Sequence, residues 1–182
     1  MANLNENSIE LAFVNQLVGQ GYTYHYGPDI APYSTNPQRE SFESVVLEKQ
    51  FKEALERLNP TLPESALTEA YQKVINLGTQ DVMENNERFH TMLTNGVPVE
   101  YAKGEGIKGV NVQLVDFEKA SKNEFWVVNQ LVVKENNIEK RLDVVIYING
   151  LPLVVVETMH WQLLVHSVKI PTCLPKKSRV QR

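Results

Sequence analysis

The chain has 182 residues, 42% of them hydrophobic, a single cysteine and a formal charge of −4. That is enough to bury a core as one domain, and Cys173 by itself excludes an internal disulfide and fits a reducing cytoplasm. Glu6 and Glu10 without a basic leader argue against a signal peptide, and no apolar run reaches the roughly 18 residues of a membrane span.

Charge is unevenly spread. All 22 acidic residues fall in 1–157 against thirteen Lys and Arg, whereas 158–182 holds five basic residues and no acid. Residues 6–20 (ENSIELAFVNQLVGQ) place Ile9, Ala12, Phe13 and Leu17 at helical spacing, with Glu10 beside that stripe. The run 22–26 (YTYHY) reads as a short strand, and Pro28, Pro32 and Pro37 mark 28–39 as an irregular loop. Helical periodicity returns from Ser41 and stops at Asn59-Pro60. A second helix opens at Pro63 and runs to Gly78; a third follows Gln80 and ends before Asn95-Gly96. His90 on the third helix has no second ligand at helical spacing and reads as structural.

Past Gly96 the period becomes two, over 97–101, 109–117 and 125–133, and then over a final hairpin. The expected fold is α+β (mixed α/β), one sheet with helices packed against it. The expected domain is 1–157, with a helical block at about 40–95 and the sheet at about 97–157. Residues 158–182 read as an atypical basic tail, more often solvated and disordered than in contact with phosphate.

The sharpest signal is 141–157 (RLDVVIYINGLPLVVVE), where two β-branched apolar runs flank Asn149-Gly150, a strong hairpin pair. Apolar side chains on both faces predict a hairpin covered on both sides. Asp143 and Glu157 are the only charges after Arg141 in this stretch. Two such carboxylates on neighbouring strands suggest a divalent metal. A plain two-residue turn would send them to opposite faces. A three-residue loop, 148–150, with left-handed Gly150 and a bulge would pair Asp143 with Val155. Glu157 would then lie diagonally on the same face, about 7–8 Å away between α-carbons. The metal reading therefore requires an odd loop or a bulge. A buried hairpin with both acids at its solvent-exposed ends stays open as the alternative.

Several stretches resemble the N-terminal region of the restriction (R) subunit of type I restriction-modification enzymes. They are VVLEKQFKEALERLNPTLPESAL, NNERFHTMLTNGVPVEY, VQLVDFEKASKNEFWVVNQLVV and above all RLDVVIYINGLPLVVVE, covering about 40–157, with a weaker match at 6–27. The resemblance implies a restriction-endonuclease-like core of the PD-(D/E)xK type, a Mg²⁺-dependent DNA endonuclease domain ahead of an ATP-driven translocase. It implies Asp143 and Glu157 as catalytic acids and Mg²⁺ ligands, with Leu142 where a proline is usual, and Glu10 as the helix-borne acid of the site. The implied partners are double-stranded DNA and the modification and specificity subunits, with no membrane. ATP belongs to the full-length family, and no G-x-x-x-x-G-K-[ST] loop occurs in these 182 residues.

One position departs from the pattern. The E-x-K triplet reads Glu157-Thr158-Met159, and a methionine at the lysine position predicts little or no Mg²⁺-dependent cleavage. The competing readings are an inactive remnant of the domain, and a DNA-binding or subunit-docking module that uses the block 40–95.

Overall fold

The computed structural model of the protein describes residues 6–77, 81–104, 106–135, 137–159 and 162–167. Helix α1 (Glu6–Gly19) is followed by strand β1 (Thr23–Tyr26) and a short 3₁₀ turn over Gly27–Ile30. Helix α2 (Glu48–Leu58) buries Phe51, Ala54, Leu55 and Leu58, three and four residues apart, and pairs Lys52 with Glu48 on its outer face. Helix α3 (Glu64–Ile75) buries Ala66, Leu67, Ala70, Tyr71 and Val74 in the same rhythm. Helix α4 (Val82–Asn95) starts at Asp81, whose carboxylate accepts the backbone N–H of Met83 and Glu84 as an N-cap.

These three helices close over an antiparallel ribbon of β2 (Val97–Lys103) and β3 (Gly106–Val112), burying Val97, Val99 and Val112. The ribbon is a sheet of its own, which corrects the expectation of one sheet. The reason lies at 113–117, expected to extend the strand. There the Asn59 side chain takes over both ladder bonds of Gln113, accepting its N–H and donating to its carbonyl, each at 2.9 Å. The Asp116 carboxylate then accepts the N–H of Glu118 and Lys119 and turns the chain.

The main sheet adds β4 (Phe125–Glu135), β5 (Ile138–Ile148), β6 (Leu151–Met159) and β7 (Gln162–Ser167) to β1, in the order β1-β4-β5-β6-β7. β1 runs parallel to β4, and the other neighbours are antiparallel. β5 is thus the central strand, and it is covered on both faces. On one face Val14 and Leu17 of α1 meet Val127, Val144 and Val156. On the other, Ile30 and Leu47 pack with Trp126, Val128, Val145 and Tyr147. The fully buried Tyr147 donates its hydroxyl to the Val45 carbonyl at 3.0 Å.

Three further expectations are corrected. The buried stripe of α1 is Glu10, Val14 and Leu17 with Phe13 packed beside it, so Leu17 and Phe13 face the sheet as expected but Ala12 is exposed and Val14 and Glu10 take the buried places. Apolar residues surround this helix on nearly all sides, so periodicity alone does not choose its face. Residues 41–47 are not helical. Their backbone ties loop to sheet: Leu47 N–H donates to the Gly150 carbonyl and Lys134 N–H to the Phe42 carbonyl, at 2.9 and 3.0 Å. Finally, the sheet does not stop at 157. β6 runs through Met159, and β7 pairs with it inside the segment read as a basic tail, because Leu163, Leu164 and Val165 favour a strand whatever the charge nearby. Residues 168–182 lie outside the described residues.

Candidate active site

The β5–β6 turn has two residues, Asn149 at φ +53° and Gly150 at φ +77°. Both are left-handed, which matches the natural twist of a tight hairpin. Ile148 pairs with Leu151 and Tyr147 with Pro152, but the next pair is Ile146 with Val154. Leu153 is therefore an extra residue, a bulge in β6. It falls beside Pro152, which has no N–H to give to the ladder. The three-residue loop is not formed, and the bulge supplies the odd residue in its place.

Beyond the bulge the register runs through Val145 with Val155 and Val144 with Val156. The last ladder pair is thus Val144 with Val156. Asp143 and Glu157 are the residues next beyond it on the two strands, level rather than diagonal if the register is continued one step, for which antiparallel strands space α-carbons about 4.5–5.5 Å apart. Both acids are half-buried. On the other side of Asp143 stands Gln130 of β4, between the pairs Asn129–Val144 and Leu131–Leu142. Gln130 has φ +58°, unusual for a residue with a side chain. A Cβ on Gly27 would collide with the Gln130 carbonyl, so glycine lets the chain after β1 approach this row.

Glu10, 5% exposed, reaches the same row from α1. One carboxylate oxygen accepts from the side-chain amides of Asn129 and Gln130, the latter at 2.8 Å. Glu10 is therefore held at β4, one strand away from Asp143. Glu157 meets a different group. Its Oε1 accepts from Lys140 Nζ at 3.0 Å, the Glu157 side chain being 20% exposed and that of Lys140 51%. Among the described residues, no three acidic, histidine or cysteine side chains form a ligand cluster. The structure brings Asp143 and Glu157 level on adjacent strands and leaves Glu10 beside them.

This donor set suits Mg²⁺, a hard cation usually held by one or two carboxylates together with water and phosphate oxygens. The Lys140 ammonium on Glu157 is a cation already drawn to that carboxylate. Sequence reasoning missed Lys140, Asn129 and Gln130. Lys140 stands three positions before Asp143, but its contact with Glu157 is made to the neighbouring strand and needs the pairing to be seen. The neighbouring end of β1 carries His25, stacked on Trp126 with ring centroids 3.8 Å apart. Burial lowers the His25 pKa below the usual histidine range, and the Glu124 carboxylate opposes that shift.

A five-stranded mixed sheet with helices on it and two acids level on its central strands defines an α+β domain of nuclease-like build. Residues 3–161 match the family described as Type I restriction enzyme R protein N terminus, and the chain belongs to that family. It is 38% identical over 155 residues to the type I restriction enzyme HindI endonuclease subunit of Haemophilus influenzae. It is 36% identical over 160 residues to the putative type I restriction enzyme MjaIXP endonuclease subunit of Methanocaldococcus jannaschii. These matches cover 85% and 86% of this chain but 15% of each relative, so the chain spans a small part of their length. Among the described residues no helix is long and apolar enough to cross a membrane.

Proposed function

We propose that this chain is a Mg²⁺-dependent DNA endonuclease domain of the PD-(D/E)xK type, hydrolysing phosphodiester bonds in foreign DNA as part of a cytoplasmic type I restriction enzyme. Its partners in this reading are double-stranded DNA and the modification and specificity subunits, the last of which selects the DNA site. The observation that supports the reading most is the bulge-corrected register that sets Asp143 opposite Glu157. Membership in the R-subunit family supports it independently.

Asp143 and Glu157 would hold the ion, with Glu10 completing the site from α1. When bound, Mg²⁺ would supply a Lewis acid for the phosphate and lower the pKa of the attacking water. The chain's own contribution is placement. β5 and β6 are fixed by a two-sided core, so their carboxylates stay level without reorganising at the moment of reaction. The amides of Asn129 and Gln130 hold Glu10 with its carboxylate turned to β4.

Supercoiled plasmid incubated with the purified chain and Mg²⁺ tests the proposal. With methionine at position 159 little nicking is expected from the two acids alone, and whatever Mg²⁺-dependent nicking occurs should be abolished by both Asp143→Ala and Glu157→Ala while the fold stays intact. Nicking that survives both substitutions, or that proceeds equally in a chelator, would remove this reading.

A further inference from the structure

Met159 stands where the resemblance expects a lysine, and a methionine side chain brings no charge to a phosphate. The ion pair between Lys140 Nζ and Glu157 Oε1, at 3.0 Å, puts an ammonium at the same acid from the neighbouring strand. We infer that Lys140 supplies the cation that position 159 lacks, acting beside Glu157 on the phosphate being hydrolysed. This inference rests on the nuclease reading above.

Three features of Lys140 fit that role. It lies in the stretch of β5 before Val144, where its ladder partner is Val133 of β4. Its side chain is half exposed whereas Glu157 is mostly covered, so the ammonium stays open to solvent and to a phosphate reaching the acid from it. Its flexible four-carbon stem ends in a compact charge, which can turn from the carboxylate to a phosphate oxygen over a short distance. A half-exposed lysine–carboxylate pair adds little to folding stability, so its removal can be tested without unfolding the domain.

The chemistry asks for one more positive charge. Water oxygen bonds to phosphorus while the bond from phosphorus to the leaving oxygen breaks. The water's proton passes through solvent to that leaving oxygen, and negative charge builds on the nonbridging oxygens. Lys140 keeps its own proton and offsets that charge. Removing a preorganised group of this kind typically slows a reaction about 10²–10³-fold. The same ammonium would compete with a metal for Glu157. A variant without it should therefore bind metal more tightly and cleave more slowly, two effects of opposite sign that loss of structure would not produce together.

The experiment measures Mn²⁺ binding by calorimetry and supercoiled-plasmid nicking for four proteins. These are the unmodified chain, Lys140→Met, Lys140→Met combined with Met159→Lys, and Asp143→Ala as the inactive reference. Thermal midpoints confirm folding. Lys140→Met is expected to bind Mn²⁺ about two- to five-fold more tightly, on the scale of a half-exposed pair, and to nick about 100-fold more slowly. Adding Met159→Lys should recover part of the nicking, because position 159 is where the resemblance places the motif lysine. Unchanged or weaker Mn²⁺ binding in Lys140→Met, or unchanged nicking, would overturn the inference and leave the nuclease reading standing. So would an unmodified chain that binds Mn²⁺ without nicking, since Lys140 would then not replace the missing lysine. A chain that neither binds Mn²⁺ nor nicks faster than Asp143→Ala would overturn both.

Discussion

Arg57 Nη2 donates to Asn149 Oδ1 at 3.1 Å, joining the last turn of α2 to the tip of the β5–β6 hairpin. The same Oδ1 accepts the Glu124 backbone N–H, and Asn149 Nδ2 donates to the Leu114 carbonyl and to Asn123 Oδ1, all at 2.9 Å. Asn149 is fully buried. Hairpin tips usually face solvent, so this asparagine is both the turn and the joint between helical block and sheet.

Replacing it separates those two roles. Asn149→Gly keeps a residue tolerant of φ +53° but leaves buried donors and acceptors unpaired, and should lower unfolding free energy by about 2–5 kcal/mol. Asn149→Ala adds left-handed strain of about 1 kcal/mol or more and should be worse. Urea unfolding of both variants measures the difference. If glycine proves harmless, the joint is not holding the two parts together.

Gly150 is constrained by space as well as by φ. A Cβ there would lie 2.6 Å from both the Leu47 carbonyl oxygen and the Phe51 backbone nitrogen. Neither backbone atom can swing aside, so Gly150→Ala should cost about 2–5 kcal/mol from strain and overpacking together. Because the turn also sets the register behind it, this variant should lose metal binding in proportion to its unfolding. Melting curves with and without Mn²⁺ would show whether the two losses track each other.

Much of this arrangement was legible in the residues. The Asn149-Gly150 pair and the two-sided apolar runs predicted a hairpin inside a sheet, and its strand β5 is central. The parity argument required an odd residue somewhere, and the structure supplies one at Leu153 rather than in the loop. A bulge placed by Pro152 and by packing of the turn against α2 leaves no periodic trace in the sequence. The separation of β2 and β3 from the main sheet was equally hidden, since the Asn59–Gln113 bonds span 54 positions. Lys140 went unnoticed for the same reason: local spacing cannot report a contact made between neighbouring strands.

His25 gives a pH dependence whose sign follows from its surroundings. Burial against Trp126 lowers its folded pKa below that of the unfolded chain. The unfolded state then binds more protons between the two values, so stability rises with pH across that window. The contribution is present above the unfolded histidine pKa of about 6.5 and is lost as pH falls through the lower folded value. Thermal midpoints of the chain and of His25→Phe, compared between pH 8 and pH 5, isolate the effect from carboxylates that titrate nearby. The difference in midpoint should shift in favour of the phenylalanine variant as the solution is acidified. A constant difference would mean that His25 titrates alike in both states.

Glu10 lets the metal role of α1 be separated from its packing role. Its carboxylate is buried and accepts from both Asn129 and Gln130, while Gln130 stands beside Asp143 at φ +58°. Glu10→Ala leaves the buried Asn129 amide without that acceptor and should destabilise the domain by about 1–3 kcal/mol. Glu10→Gln preserves the shape and one amide oxygen but removes the negative charge. If Glu10 completes a metal site with Asp143 and Glu157, the glutamine variant should lose Mn²⁺ affinity by roughly tenfold, about 1.4 kcal/mol, with a much smaller loss of stability than the alanine variant. If Glu10 only anchors α1 to β4, Mn²⁺ affinity will match the unmodified chain within error in Glu10→Gln, and the helix-borne acid drops out of the site. Calorimetric titration of both variants at a temperature where each is folded distinguishes the two outcomes.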